Sequence, residues 1–214
     1  MTLLEIRTQV LRRMDEDTTS PVYVTAQLVD QAINEGLNIF STLTLCVEKS
    51  ATITITDTFT DMIAAAVPRL IVPLKLYRGA TRIHPERSPG AFAAAEVFWR
   101  TQTGAAKRYA MMGAALLVLD LKPTSGTNYT MTYAATAGSV AADGDVPEIP
   151  LEDHSALVEF AVWRLLAISG GAEFVAAASA RDRFLDIAKK RAGLIRARFQ
   201  QLGYDRTPPE LEVL

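Results

Sequence analysis

Apolar and polar residues follow helical spacing at both ends of this chain and alternate like strands in its middle. Near the start, Leu3, Ile6, Val10 and Met14 recur every three to four positions, which predicts a helix over 2–14 with Thr2 as its cap. Asp15 to Val24 is polar and carries Ser20-Pro21, so it reads as a loop. Val29, Ala32, Ile33, Gly36, Phe40 and Leu43 then line one face of a second helix over 25–47, capped by Thr25. At Ala51 the period drops to two. The segment 51–56 (ATITIT) reads as a strand, and 69–77 and 80–84 as two more. Pro73 and Gly79 place those two at an edge or bulge. Further strands are predicted over 115–121 and 127–133, with hairpin-loop chemistry in Lys122-Pro123-Thr124-Ser125-Gly126 between them. A short helix over 91–99 interrupts this β region.

Residues 137–150 form a turn-rich linker, because Asp143, Gly144, Asp145, Pro147 and Pro150 resist regular structure. Helical spacing returns over 150–169, with Glu152 and Asp153 in the first turn and Gly170-Gly171 as the stop. The last helix, 172–202, carries a stripe of Phe174, Ala178, Leu185, Ala188, Ala192, Ile195, Phe199 and Leu202. Arg181 breaks that stripe, and Gly203 ends the helix. The order predicts an α+β fold: an antiparallel bundle of about four helices with a β-sheet insertion between helices 2 and 3. The bundle is assigned to 1–47 and 148–203, the β-rich insertion with its linker to 48–147, and an extended C-terminal arm to 204–214.

At 214 residues and 49% hydrophobic, the chain is large enough to bury a sizeable core. A formal net charge of -2 gives no global attraction to nucleic acid or anionic membranes. The single cysteine, Cys46, rules out a disulfide framework within the chain. The apolar runs Ala110–Leu119 and Met62–Val67 are too short to span a bilayer. The opening MTLLEIRTQVLRR lacks the apolar core of a signal peptide. The expectation is a protein at work inside a cell, or in a particle assembled there.

The usual catalytic fingerprints are missing: no phosphate-cradling loop, no nucleophile elbow and no HExxH. His84 and His154 are the only histidines, and with Cys46 they are too few for a zinc site unless carboxylates join them. No metal or cofactor is expected, and no enzymatic activity. A Cys46–His154 nucleophile pair is the enzymatic alternative; a core cysteine and a first-turn histidine is the simpler one. Asp143-Gly144-Asp145 with Glu148 lacks the ligand spacing of a calcium loop and reads as an acidic turn. Asn128-Tyr129-Thr130 matches the glycosylation triplet, without a secretory signal to give it meaning.

The last helix is more informative. Arg181, Arg183, Lys189, Lys190, Arg191, Arg196, Arg198 and Arg206 face three acids, Asp182, Asp186 and Asp205, for a local net charge of +5. This is a solvated face, a contact for DNA phosphates, or a contact for an acidic partner. Within the helix, Phe184 and Phe199 are the only aromatics interleaved with these charges, which argues against single-strand recognition. Beyond it, Pro208-Pro209 prevents the helix from continuing, and the arm ends in Leu211, Val213 and Leu214. Such an arm adds a strand or an apolar plug to a partner.

Several stretches, in order, resemble the adaptor (head–tail connector) proteins of tailed bacteriophages. The first is Leu28-Val29-Asp30-Gln31-Ala32-Ile33-Asn34-Glu35-Gly36, with its Asn-Glu-Gly centre. Phe98-Trp99-Arg100, Gly104, Tyr109 and Leu121-Lys122-Pro123 follow. Tyr129-Thr130-Met131-Thr132-Tyr133 comes next. The set closes with Asp145-Val146-Pro147-Glu148-Ile149-Pro150, His154 and Ala156-Leu157-Val158-Glu159-Phe160-Ala161. Ala105 follows Gly104 where such proteins often carry proline.

The resemblance implies a structural virion protein at the head–tail interface, assembled in the host cytoplasm. It implies a ring of about twelve copies on the portal protein, closed by head-to-tail contacts. The ring extends the channel for packaged DNA and docks the tail, stopper or nozzle proteins. Portal binding is assigned to Lys189, Lys190, Arg196, Arg198, Arg206, Pro208, Pro209, Leu211, Val213 and Leu214. A tail-side interface is assigned to Arg82, His84, Arg87, Trp99 and Arg100, although Trp99 reads more readily as a buried anchor for the β insertion. The alternative, from a different class, is a nucleic-acid-binding module on the basic last helix.

Overall fold

The computed structural model describes residues 1–19, 21–62, 65, 67–95, 98–113, 115–124, 126–169 and 171–204. In chain order the elements are α1 (Leu3–Arg13), α2 (Ala26–Thr44), β1 (Glu48–Ile55), β2 (Phe59–Asp61), β3 (Leu70–Arg78), β4 (Thr81–Pro85) and α3 (Gly90–Ala95). There follow β5 (Arg108–Met112), β6 (Leu116–Leu119), β7 (Thr127–Ala135), a single 3-10 turn (Leu151–Asp153), α4 (His154–Ser169) and α5 (Gly171–Gln201). The expected helical bundle with one β insertion does not form. The fold is mixed α/β, with a curled seven-stranded sheet as well as the helices. Two compact units are distinct: Met1–Val47, Thr136–Arg198 and Pro208–Leu214 in one, Glu48–Ala135 and Phe199–Thr207 in the other.

The helical unit is built on α4, which is apolar around most of its circumference and therefore buried: Leu157, Phe160, Ala161 and Val162 are all at or below 3% exposure. Helices α1 and α2 pack on it. Thr2 caps α1 in a reciprocal box with Glu5, and Thr25 caps α2 by accepting from the Leu28 amide. The Asn-Glu-Gly centre of α2 has three separate physical tasks. Asn34 donates to the Val140 carbonyl (3.0 Å) and accepts from the Val140 amide (2.8 Å), which clamps the linker. Glu35 pairs with Arg164 at 3.1 Å. Gly36 lets the Phe160 ring lie on the helix backbone: a Cβ there would stand 2.7 Å from Phe160 Cδ1 and 2.9 Å from its Cγ. Gly36→Ala therefore loses about 1–2 kcal/mol in urea unfolding, although alanine is the better helix former by about 1 kcal/mol. A stabilised variant would mean that Phe160 is free to move aside.

The acidic linker is an ordered cap for α1. Asp145 and Asp143 accept from the amides of Leu3 (2.8 Å) and Leu4 (3.1 Å) through their backbone carbonyls. The Asp145 carboxylate takes the Ala141 and Ala142 amides, which hold its pKa below the ordinary aspartate value. Arg7 joins the side chains of Asp30 and Asp143, each at 2.8 Å.

In the sheet unit the strand order is β1-β7-β3-β4-β5-β6-β2. The predicted hairpin across Lys122–Gly126 is therefore absent. Strand β6 pairs with β5 and β2, while β7 pairs with β1 and β3. Good turn chemistry permits a hairpin, but strand partners are chosen by which apolar faces are buried together. Ile53, Tyr129, Met131, Leu76 and Ile83 form one such buried face, all at or below 2% exposure. The β3–β4 turn is tight, with Arg78 opposite Thr81, and Gly79 supplies its positive φ of 58°. Pro73 sits beside a register shift in β3, where a missing amide is tolerated. Strands β4 and β5 run parallel, so the chain crosses over between them through α3. That crossover is held down by Phe92 and Trp99, which pack on Ala110 and Val118.

Candidate functional site

The C-terminal end of α5 is fixed within the sheet unit by side chains from three strands. Lys75 donates to the Leu202 carbonyl at 2.8 Å, and Arg82 to the Gly203 carbonyl at 2.9 Å. These are helix-end carbonyls with no partner inside the helix, and cations there also meet the negative end of the helix dipole. Gly203 adopts φ +60°, which turns the chain. Tyr204 then packs on Phe199 with ring centroids 4.8 Å apart. Its hydroxyl donates to Glu48 at 2.8 Å, and Lys75 lies 4.6 Å from its ring centroid.

Part of the basic character of α5 is spent internally. Arg191 bonds Asp153 and, at 2.8 Å, Glu152; its side chain is 13% exposed and that of Asp153 is 8%. Burial alone would weaken the guanidinium's charge, but the bonds to Asp153 and Glu152 outweigh it and raise the Arg191 pKa. The first-turn acid Glu152 is held below the ordinary glutamate pKa by its own backbone amide and by Arg191. Arg181 pairs with Asp182, and Arg183 bonds Ser179 and lies 3.8 Å from Glu159. Lys190 and Arg198 are exposed, and Lys189 and Arg196 half-buried. Phe184 and Phe199 are both core residues, at 1% and 0% exposure, and unavailable for stacking on bases.

The Cys46–His154 pair does not assemble as a nucleophile. Burial raises the Cys46 thiol pKa, with a hydrogen bond to Thr44 pulling weakly the other way, so the thiolate is disfavoured. His154 is fully buried, with Nδ1 against the Met1 amino group (2.8 Å) and Met1 carbonyl and Nε2 against the Ile149 carbonyl (3.2 Å). Two surface grooves, one along Asn38, Ile39, Thr42 and Leu43 and one along Met1, Leu4, Glu5, Thr8, Gln9 and Arg12, include neither residue. Among the described residues, no cluster of three His, Cys, Asp or Glu side chains is arranged to hold a metal. No helix there is long and apolar enough to cross a membrane.

What remains is a set of surfaces, and the whole-chain comparison says what kind of protein carries them. A model of the family described as SU10 adaptor protein matches residues 1–209. This chain belongs to that family. The SU10 adaptor family is a phage adaptor family, and its members are structural virion components that contact other head or tail proteins. No curated protein matches the chain.

Within this adaptor, the residues singled out from sequence fall in different settings. Arg82 is half-buried and caps α5; His84 is exposed two residues along β4. Arg87 is exposed just before α3. Trp99 is 3% exposed, 5.3 Å from Phe92 and 6.0 Å from Phe59 between ring centroids. Arg100 is exposed and lies over both Trp99 (5.3 Å) and Phe59 (5.9 Å). Arg206, Pro208, Pro209, Leu211, Val213 and Leu214 lie outside the described residues. Sequence reasoning missed Glu48, Lys75 and Tyr204. Their one signal is the placement of Tyr204 directly after the capping Gly203.

Proposed function

We propose that this adaptor is a head–tail connector. Its copies, about twelve, form a ring beneath the portal, extend the DNA channel and dock the tail, stopper or nozzle proteins. The observation that carries this reading is the fixed end of α5. A docking arm that starts from a rigid base loses less conformational entropy on binding than one that starts from a frayed helix. Lys75, Arg82, Glu48 and Gly203 supply that base at Leu202–Tyr204. In this reading the portal-facing contact comprises Lys189, Lys190, Arg196, Arg198 and the arm 206–214. The tail-facing contact comprises His84, Arg87 and Arg100, with Trp99 supporting Arg100 from beneath.

The test is the mass of the protein alone and after mixing with the portal protein of the same phage. The expected result is loading of multiple copies on the portal, weakened about tenfold or more when residues 206–214 are deleted. A mixture that stays separate under all salt conditions overturns the reading. Tight binding to free duplex DNA that falls steeply with salt would favour a nucleic-acid module instead.

A further inference from the structure

The loop between α1 and α2 is built, and what it builds is a display. Asp15 leaves α1 in the left-handed region (φ 57°). Glu16 then folds back so that its two carboxylate oxygens accept from the Val22 amide (3.0 Å) and the Tyr23 amide (3.1 Å). Asp17 accepts from both the amide and the hydroxyl of Thr19, at 2.7 and 2.6 Å. On this tied loop Val22 is 75% and Tyr23 87% exposed, the most exposed aromatic among the described residues. An apolar residue and a tyrosine held out by a charged side chain have no intramolecular use that the helical unit explains. Rigid tyrosines are favoured at interface hot spots because they offer large area for little lost entropy.

The surroundings of the loop specify the partner. From Met14 to Val47 the chain carries Asp15, Glu16, Asp17, Asp30 and Glu35 and no lysine or arginine. Arg13, just before it, is paired with Glu159 at 2.6 Å. The helical unit as a whole has 11 Lys and Arg against 17 Asp and Glu, for a net charge of -6, whereas the sheet unit has 11 against 7, for +4. The sheet unit also displays an aromatic and cationic patch of its own. Phe98 is 67% and Phe59 37% exposed, and exposed Arg100 lies over Phe59 and Trp99. No carboxylate among the described residues pairs with Arg100. An acidic knob with a tyrosine and a cationic patch with aromatic rings are complementary in charge and in stacking chemistry. They lie on different units of one chain, so each copy carries one of each. Contacts of this kind run head to tail, and they close into a ring when the rotation from copy to copy closes.

We propose that Val22 and Tyr23 of one copy dock on Phe98, Phe59 and Arg100 of the next, with Asp15 and Asp17 facing the Arg100 guanidinium. This rests on the reading of the adaptor as a ring, names the contact that closes it, and gives Arg100 to that contact, leaving His84 and Arg87 to face the tail. The test uses two full-length variants, Val22→Ser/Tyr23→Ala and Phe98→Ala/Arg100→Glu, with self-association followed by sedimentation with and without portal. Val22, Tyr23, Phe98 and Arg100 are all exposed, so both variants are expected to fold, and urea unfolding confirms it first. Each variant alone is expected to self-associate about tenfold or more weakly than the unaltered chain, with the deficit of the latter shrinking as salt screens its charge reversal. A 1:1 mixture retains one intact knob and one intact patch, and is expected to give pairs that grow no further. If either variant still forms the assembly of the unaltered chain, or the mixture forms no pairs, this contact is overturned while the ring reading stands. If the unaltered chain never self-associates, even with portal, both fall. A variant that loses only its binding to portal or tail proteins assigns the knob to those partners and sinks the copy-to-copy contact.

Discussion

Arg191→Ala is expected to lower the unfolding free energy by about 3–5 kcal/mol. The substitution removes the guanidinium that satisfies Asp153, whose side chain is 8% exposed. A carboxylate left in that setting must shed its charge or draw water into the unit, and both are unfavourable. Glu152, by contrast, is 68% exposed and hydrates readily, so its loss of Arg191 contributes little. The comparison that isolates the cause is Asp153→Asn combined with Arg191→Met. Replacing both charges with neutral groups of similar volume is expected to be much milder than Arg191→Ala alone. Urea denaturation at neutral pH reads both. A loss under about 1 kcal/mol for Arg191→Ala would show that the pair is hydrated and that Arg191 behaves as a surface arginine.

Phe184→Ala is expected to lose about 3–5 kcal/mol, whereas Leu185→Ala loses about 1 kcal/mol or less. The Phe184 ring meets Phe160 at 5.1 Å, Phe40 at 6.1 Å and Trp163 at 6.5 Å between centroids, so its removal opens a cavity where two helices face α5. Leu185 is only half-buried. This pair of substitutions tests the register of the helix directly. The stripe read from spacing ran through Phe174, Ala178 and Leu185. Its later members Ala188, Ala192, Ile195 and Phe199 are buried as read, but the buried line reaches them through Ala177, Ala180 and Phe184. Phe174 stands 62% exposed, and Arg181 interrupts nothing because it lies off the buried face. A larger loss for Leu185→Ala than for Phe184→Ala would restore the first register.

That error shows where the sequence stops. In the first half of α5, alanines at 176, 177, 178 and 180 make neighbouring stripes nearly equal in hydrophobicity. Only the aromatic cluster waiting in α2 and α4 selects the one containing Phe184. The same holds in α2, where Leu43 is half-buried while Leu37 and Thr44 are buried. Thr44 is satisfied by the Phe40 carbonyl at 2.8 Å, a bond that a reading based on polarity does not anticipate. Strand β2 was equally invisible, since three residues of Phe59-Thr60-Asp61 carry no usable period, and β5 was missed whole.

By itself the sequence determined what local physics determines. The caps Thr2 and Thr25, the extents of α1, α2 and α5 to within a few residues, the strands β1, β3, β4 and β7 and the turn at Gly203 all follow from spacing, capping and glycine geometry. The ordered motifs also carried the adaptor family. The tertiary structure alone decided which strands pair, and so made a seven-stranded sheet of what read as an insertion on a bundle. It alone decided that Arg191 is structural, that the acidic linker caps α1, and that Tyr23 is held out in solvent. Each of these depends on a partner more than thirty residues away or on a side chain folding back on its own loop. Periodicity records which face of an element is apolar; it carries no record of which other element that face will meet.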